Sequence, residues 1–503
     1  MGKGARSRAN YAEKKAAQVE REQAKKKQQK INTIITLAIV VVLLAGIGAM
    51  VGFRSYVRSG ATQRAQIVMK TDNFEVNGSM MSYLIFSQYA NYLNAYGDYI
   101  SYMGLDPQKP LRDQYTTDDA NNSITWLQYF TNTAKSSVEN LLVLCESAKA
   151  NGVELTATEK KAVAERAKDS YTNVGQYAVG VNEQDVVDCM ELSLLATKYQ
   201  LVVEDGLMPT VEQIDEYYTK NPLKVLKADY YSYSFGYEEP AEGETLAEEK
   251  VSKDEAKALA DDLATATSVE QFKTKLKTYL ESIAEEPKEG EEKAEINVDS
   301  YKTTAGTYNE SSEASKWLFN DATTVGSVKV IEDTSAKNYT VYVLDKAKYL
   351  QEDKTVSVRQ LLINKIEGSV TAEQAHKTAQ GHYDQFLKGD KSEQSFADLA
   401  MLHTEDGNYY NGGLYQGVFP GQMVESFNNW CFDAARKPGD TGLVDSDYGS
   451  HLIYFVGEDL PRWKTDVRTT LLQEAYEAKY EELKKAVTIN TDDGLISSLD
   501  VQR

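Results

Sequence analysis

The chain has 503 residues, a formal net charge of −21 and only three cysteines. This length predicts about three domains, because a single core rarely grows so large. The acidic balance disfavours nucleic acid as a partner. Cys145, Cys189 and Cys431 are odd in number and widely spaced, which indicates neither a disulfide framework nor a zinc site. We expect small buried thiols, although the sequence also permits a Cys145–Cys189 bridge.

A basic tail and an uncharged apolar run open the chain. Residues 1–30 carry ten Lys and Arg against three Glu, a net charge of +7. Residues 31–53 are 23 uncharged residues, long enough as a helix to cross a ~30 Å hydrocarbon layer. A cleaved signal peptide is the alternative, but its apolar region normally has only ~7–15 residues. We predict a single-pass signal anchor in the cell membrane, with a cytoplasmic N-terminus and an extracytoplasmic bulk.

Residues 72–222 show the periodicity of helices. Apolar side chains recur at three- and four-residue spacing in four long segments. Thr156-x-x-Glu159 and Thr210-x-x-Gln213 are capping boxes, and Asn221-Pro222 should end the short helix that follows the second box. The first segment carries a tyrosine-rich stripe. Such stripes predict core packing, and a groove for unfolded polypeptides is the alternative.

Residues 226–350 and 355–458 look like two copies of one α+β module. Trp317-Leu318-Phe319 precedes a glycine turn and a predicted strand, and Trp430-Cys431-Phe432 does the same. Each module also opens on a predicted strand. A repeat of this length indicates a domain duplication rather than a solenoid.

Residues 461–503 are predicted to form a C-terminal helix with an apolar face that includes Leu471, Leu472 and Leu483. This face needs a partner, and we expect the N-terminal helices to supply it. The sequence therefore predicts an α+β multidomain protein. Its parts are a transmembrane helix, a helical domain, two α+β modules and a helix that packs back on the first helices.

The second module contains several chemically informative segments. They are Asp406, Gly412-Gly413, the run from Gly421 to Phe427, and Tyr448-Gly449-Ser450-His451. One acid, one histidine and a Met/Phe pair suit a small apolar cleft with a few polar groups. In order and spacing these segments resemble the parvulin (rotamase) peptidyl-prolyl isomerases. The helical flanks further resemble the extracytoplasmic foldases and chaperones of the PrsA/SurA kind, with a SurA-N-like domain at residues 72–222.

The resemblance implies a polar network. Asp406 would lie beside the reacting carbonyl, and His451 would be the inner histidine of the network, supported by Ser446. Gln360 stands where the family usually has a second histidine, and glutamine does not titrate near neutral pH. The alternatives are a satisfied core histidine and an aspartate that merely belongs to a turn.

The resemblance also implies an apolar pocket. Met423 and Phe427 would form the floor for the proline ring, with Gln422 in the same substrate-binding segment. Tyr415 would occupy the position of a pocket leucine, in a loop that departs from the usual family sequence. Met423 and Phe427 are four residues apart on a predicted helix, so ordinary core packing is the alternative.

The first module departs further from the pattern. It has Tyr230 where the first-strand histidine is expected and Asn338 or Tyr339 where the inner histidine is expected. It also lacks a Gly-Gln-Met segment. We therefore predict that this degenerate copy is not catalytic.

The expected function is peptidyl-prolyl cis–trans isomerisation and foldase action on unfolded or newly exported polypeptides with X–Pro bonds. This reaction needs no cofactor, and the four histidines show no metal-ligand spacing. No Lys/Arg cluster follows the first strand of the second module, which disfavours phosphate-directed specificity. The alternative is a non-catalytic holdase or binding scaffold, in which the two parvulin-like modules have a structural role only.

Overall fold

The computed structural model describes residues 59–240, 250–284, 295–499 and 501. The predicted basic tail and signal anchor lie outside these residues. Among the described helices, none combines the length and apolarity that a membrane span requires.

The chain divides into two compact units. One contains the described residues up to Tyr199 together with those from Leu483 onward, and the other is Gln200–Glu482. The protein is thus a multidomain chain of mixed helix and sheet, as predicted.

The elements up to the first module are, in chain order, α1 (Ala61–Arg64), β1 (Ile67–Lys70), β2 (Glu75–Asn77), α2 (Gly78–Tyr96), β3 (Tyr115–Thr117), β4 (Ser123–Thr125), α3 (Trp126–Ala150), α4 (Ala157–Asn173), α5 (Glu183–Gly206), α6 (Val211–Lys220) and α7 (Pro222–Val225). Those of the first module are β5 (Lys227–Gly236), α8 (Lys253–Ala264), α9 (Val269–Ile283), β6 (Lys302–Thr307), α10 (Glu313–Leu318), β7 (Val328–Asp333) and β8 (Asn338–Tyr349). The second module and the C-terminal segment contain β9 (Val356–Asn364), α11 (Ala372–Lys388), α12 (Glu393–His403), β10 (Leu414–Val418), α13 (Glu425–Cys431), β11 (Thr441–Asp445), β12 (Gly449–Glu458), α14 (Arg462–Ala486), β13 (Asn490–Thr491) and α15 (Asp493–Ser497).

The predicted capping boxes set the starts of two helices. Thr156 and Glu159 bond reciprocally at the start of α4, and Thr210 and Gln213 do the same at α6. Each box satisfies two backbone N–H groups that would otherwise lack a partner at the helix start. Helix α6 stops at Lys220, two residues before Pro222.

The tyrosine stripe of α2 is mainly core. Tyr89 is buried, and the rings of Tyr89 and Tyr92 lie 5.2–5.6 Å from Trp126 or Phe130 of α3. The end of the stripe differs, because Tyr96 is 40% exposed. All three cysteines are buried free thiols, so no Cys145–Cys189 bridge is present.

The C-terminal segment contributes to the smaller unit from Leu483, in the last turn of α14, onward. Strand β13 pairs antiparallel with β1, Met69 opposite Thr491, and Ile496 and Leu499 are buried in the same core as Phe130.

In the larger unit, Trp463 and Val467 of α14 pack with Ile214 of α6 and Val225 of α7, with Leu471 at the margin. Within this unit α14 therefore packs on α6 and α7 of the predicted helical segment, and its Tyr476 lies close to Glu204 at the end of α5. An apolar stripe on a predicted helix indicates that the helix packs against a partner, but it does not identify the partner.

The two modules share one topology. Their antiparallel sheets have the orders β6-β5-β8-β7 and β10-β9-β12-β11, so in each the first and last strands of the module lie in the centre. One face of each sheet is covered by two long helices, α8 and α9 or α11 and α12. The other face carries the short helix α10 or α13. The candidate site lies on the α13 face of the second module.

Candidate active site

Five side chains meet on the α13 face, each held by a different element. Gln360 comes from β9, Tyr415 from β10, Phe427 from α13 and His451 from β12, while Asp406 caps the 3-10 helix Gly407–Asn411. On the central pair of strands Ile453 faces Gln360, which sets Gln360 and His451 on a diagonal. Diagonal neighbours on one face of a sheet lie within reach of long side chains.

The glycine pair brings the Asp406 loop onto the sheet. Gly412 and Gly413 have φ of 67° and 72°, a region that favours glycine. A Cβ on Gly413 would lie 2.1 Å from the carbonyl oxygen of Gln360, and one on Gly412 would lie 2.5 Å from the Cβ of Ala397. The backbone N–H of Gln360 donates to the Gly413 carbonyl at 2.8 Å. Glycine is therefore required at both positions for the loop to reach β9.

Thr404 fixes the start of the same loop. It is fully buried, and its hydroxyl oxygen accepts hydrogen bonds from the backbone N–H groups of Leu362 (3.0 Å) and Asp406 (3.2 Å). Sequence reasoning missed this residue. The signal was present, because a threonine two residues before an aspartate commonly bonds its own loop.

A chain of hydrogen bonds links the polar groups. The Ser446 hydroxyl lies 2.7 Å from Nε2 of His451, and Nδ1 of His451 lies 2.8 Å from Oε1 of Gln360. Nε2 of Gln360 donates to Oδ2 of Asp406. The Tyr415 hydroxyl donates to the same Oδ2 at 2.6 Å. The structure thus brings together Asp406, His451, Gln360, Ser446 and Tyr415 from the predicted set.

Tyr415 differs from its predicted role. The position was expected to contribute an apolar wall, as a leucine would. Its hydroxyl instead bonds Asp406, so the residue contributes a polar contact in addition to its ring. Burial, together with this hydrogen bond, raises the pKa of the Tyr415 hydroxyl well above its ordinary value. The group therefore keeps its proton at neutral pH.

His451 is enclosed. Its side chain is 5% exposed, and burial lowers the pKa of His451, an effect that Asp406 and Asp445 only partly oppose. The ring is accordingly neutral at pH 7.

Burial alone would raise the pKa of Asp445, but hydrogen bonds from Ser450 and His376 outweigh it and lower that pKa.

The apolar side of the site is formed by α13 and the sheet. Phe427 is 1% exposed, and its ring lies edge-on to His451 at 5.6 Å. Met423 is half-buried against the same cluster, which includes Val358 and Ile453. Gln422 is exposed and its side-chain oxygen accepts from the backbone N–H of Phe419, so the structure places it in the loop before α13, outside the polar network.

The first module lacks this polar network at the equivalent positions. Leu344 exchanges two backbone hydrogen bonds with the turn at Gly326 and Ser327, and Phe455 does the same with the turn at Gly439 and Asp440. Leu344 and Phe455 are therefore equivalent positions in the two sheets. The register then places Ser232 at the position of Gln360 and Thr340 at the position of His451. The predicted equivalents, Tyr230 and Asn338 or Tyr339, were therefore wrong.

The error has a physical cause. Side chains alternate between the faces of a strand, so the correct register can be established only through the paired strand. Thr340, at the position of the imidazole, bonds Ser234 at 2.7 Å, and Ser232 stands at the position of the amide. Small hydroxyl groups therefore replace both His451 and Gln360 in the first module.

Comparison with known proteins locates this site in a family. Residues 339–458 match the family model described as the PPIC-type PPIASE domain. Foldase protein PrsA 1 of Listeria innocua is 39% identical over 67 residues, 13% of this chain and 23% of that protein. Foldase protein PrsA 1 of Listeria monocytogenes serotype 4b is 37% identical over 67 residues, with the same coverage. The chain thus matches 23% of the length of these curated relatives.

Solved structures show weaker likeness. The solution structure of TbPIN1 is 25% identical, with 21% of this chain and 97% of that one covered and a TM-score of 0.18. The crystal structure of PrsA from Bacillus subtilis is 14% identical, with 76% and 96% covered and a TM-score of 0.22. At such scores these likenesses add nothing to the family match. The hydrogen-bonded site therefore lies within the residues that match the PPIC-type peptidyl-prolyl isomerase domain.

Proposed function

We propose that residues 355–458 catalyse cis–trans isomerisation of X–Pro bonds, and that the chain uses this activity to help exported polypeptides fold. The observation that carries the proposal is the bonded series His451, Gln360 and Asp406 beside the buried ring of Phe427. It joins a fixed carboxylate to an apolar wall, the two elements that the reaction requires.

The reaction itself asks for little chemistry. Rotation about an X–Pro bond takes tens to hundreds of seconds without a catalyst, because the amide must lose its conjugation. A site accelerates the rotation when it binds the twisted amide better than the planar one. No covalent intermediate is needed, so positioning and electrostatics suffice.

Asp406 is the proposed catalytic group. A planar amide carries more negative charge on its carbonyl oxygen than a twisted one. A carboxylate held close to that oxygen therefore favours the twisted form. Gln360 and Tyr415 both donate to Oδ2 of Asp406, and the Gly407 N–H donates to Oδ1 at 2.7 Å, so the carboxylate is held from both sides.

The substrate would lie against α13 and β10. Met423 is the proposed contact for the proline ring, with Phe427 behind it as the buried base of the pocket. Tyr415 borders the site, and Ser446 acts through His451 rather than on the substrate. Gln422 would contribute by shaping the loop before α13.

The remaining parts of the chain complete the proposal. The basic tail 1–30 and the apolar run 31–53 support a single-pass anchor with the modules outside the membrane. Residues 226–350 act as a non-catalytic copy, since Ser232 and Thr340 replace the amide and imidazole. Residues 72–222 serve as a chaperone domain for the arriving polypeptide.

The test is an isomerase assay on the full chain with peptides that contain one X–Pro bond. We expect catalysis above the uncatalysed rate, and its loss in Asp406→Ala. Glu405→Ala is the matched control, because Glu405 is the adjacent acid and its side chain bonds the Asn364 N–H instead of the network. A folded wild type without catalysis would refute the proposal.

A second function, holding unfolded chains, is favoured by a separate observation. Tyr99, Tyr102 and Tyr115 are 72%, 86% and 66% exposed in the smaller unit. Exposed aromatic side chains close together in sequence are a feature of surfaces that bind polypeptides. This aromatic surface does not depend on the parvulin site, so the two functions can be separated by mutation.

A further inference from the structure

Gln360 has two ends of opposite hydrogen-bonding chemistry, and unlike the two nitrogens of an imidazole they cannot exchange roles. Its amide nitrogen can only donate and its amide oxygen can only accept. One end faces Oδ2 of Asp406 and the other faces Nδ1 of His451 at 2.8 Å. A carboxylate only accepts, so the nitrogen end must face Asp406. The oxygen end must then face the histidine. The hydrogen-bond partners therefore settle which end of the amide is oxygen and which is nitrogen.

This orientation decides the position of the proton on His451. Because Oε1 of Gln360 accepts, Nδ1 of His451 must carry a hydrogen. In a neutral ring Nε2 is then an acceptor, and it receives the hydroxyl hydrogen of Ser446 across 2.7 Å. The Ser446 oxygen in turn accepts from the backbone N–H of Tyr448 at 3.1 Å. Every bond from Tyr448 to Asp406 therefore runs in the same direction.

A histidine in place of Gln360 would not impose this direction. An imidazole exchanges donor and acceptor roles between its nitrogens and gains a proton near neutral pH. Two facing imidazoles can share their protons in more than one arrangement. An amide has one arrangement once a carboxylate fixes its nitrogen end.

We propose that Gln360 is a positioning residue that holds His451 in the neutral, Nδ1-protonated tautomer and keeps Asp406 in one orientation, so that isomerisation is insensitive to pH between about 6 and 8. This inference rests on the proposed function of the site. It also supplies a reason for the departure from the paired-histidine pattern, since a single-tautomer network works equally well across that range.

The groups around His451 agree with a neutral ring. The two carboxylates that act on it are Asp406, in the loop after α12, and Asp445 on β11, and burial outweighs both. Gln360 of β9 and Phe427 of α13 bring no charge to the ring. Tyr415 of β10 bonds Asp406 and keeps its own proton.

The test reads the tautomer directly. The full chain has four histidines, so selective ¹⁵N-histidine labelling gives a tractable NMR spectrum. His451→Gln identifies the signals of His451. We expect a protonated Nδ1 and an unprotonated Nε2 with unchanged shifts from pH 6 to pH 8, together with a flat rate profile for X–Pro peptides.

Two variants separate positioning from folding. Gln360→Met keeps the length but neither bond; we expect loss of the single tautomer and a rate about tenfold lower, as for a lost bond to a charged group. Gln360→His should retain more activity but become pH-dependent near neutrality. Gln385→Met, on the exposed side of α11, is the control and should change neither the spectrum nor the rate. Circular dichroism and thermal unfolding confirm that each variant is folded.

The outcomes are distinguishable. An active wild type with Nε2 protonated, or with a tautomer that changes between pH 6 and pH 8, would overturn the role of Gln360 and leave the proposed function intact. A wild type with the expected tautomer but no catalysis would overturn the proposed function, while the tautomer assignment would stand. A Gln360→His variant with a flat profile would also contradict the positioning role.

Discussion

His382 stacks on His403, with ring centroids 4.2 Å apart and planes 21° from parallel. The first ring comes from α11 and the second from the last turn of α12, three residues before Asp406. Burial and the neighbouring His403 lower the pKa of His382. Two protonated rings at this distance would repel, so the stack is stable only while at least one ring is neutral.

This pair predicts loss of stability in mild acid. A lowered folded-state pKa means that the unfolded chain binds more protons than the folded one at pH values below about 6.5. The contribution of His382 is therefore complete above that pH and is lost as the pH falls through the folded-state pKa. His451, whose pKa is also lowered by burial, acts in the same direction.

Thermal unfolding at pH 7.5 and pH 5.5 measures the effect. We expect His382→Gln to reduce the difference in Tm between the two pH values. The control is Gln385→Met, because Gln385 lies on the exposed side of the same helix and does not titrate. An unchanged pH difference in His382→Gln would contradict the prediction.

Gly413→Ala should damage both stability and activity. The added Cβ would meet the Gln360 carbonyl oxygen at 2.1 Å, and φ of 72° is strained for alanine. We expect a loss of roughly 1–3 kcal/mol of unfolding free energy, from urea denaturation, and an isomerase rate at least about tenfold lower because Asp406 is displaced.

Gly407→Ala is the matched control for that change. Gly407 lies in the same loop, but a Cβ added there would have no neighbouring heavy atom within 4 Å, and its φ is not positive. Its N–H, which bonds Asp406, would remain. Equal losses in the two variants would show that the close approach to Gln360 is unimportant.

The sequence was enough to place most of the second module. Motif order pointed to four candidate residues, Asp406, Met423, Phe427 and His451. In the structure, Asp406, Phe427 and His451 lie around one site. Motif spacing succeeds here because short loops tie each residue to its own strand or helix.

What could not be predicted depends on side-chain reach and on register. Nothing in the local sequence shows that the Tyr415 hydroxyl crosses to Asp406, because the contact joins β10 to a separate loop. The stack of His382 on His403 likewise depends on how α11 packs on α12. Non-local contacts of this kind follow from packing and leave no periodic trace in the chain.

Tyr415→Phe tests whether the hydroxyl contributes to catalysis. The variant keeps the ring but removes one of the two donors to Oδ2 of Asp406. We expect a stability cost of about 1 kcal/mol and a kcat/KM about three- to tenfold lower. Tyr415→Leu introduces the apolar residue that the resemblance implies at this position, and it should be no more active than the phenylalanine variant. Full activity in Tyr415→Phe would assign the residue to the pocket wall alone.

The exposed tyrosines should affect holding of unfolded chains without affecting isomerisation. We expect the triple variant Tyr99→Ser, Tyr102→Ser and Tyr115→Ser to suppress aggregation of an unfolded client less well, because it removes three of the most exposed aromatic rings among the described residues. Its X–Pro isomerisation rate should match the wild type, since these residues belong to the smaller unit. Tyr177→Ser, also in that unit and 55% exposed, is the control and should leave aggregation suppression unchanged. Equal suppression by the triple variant and the wild type would exclude this surface as the binding site.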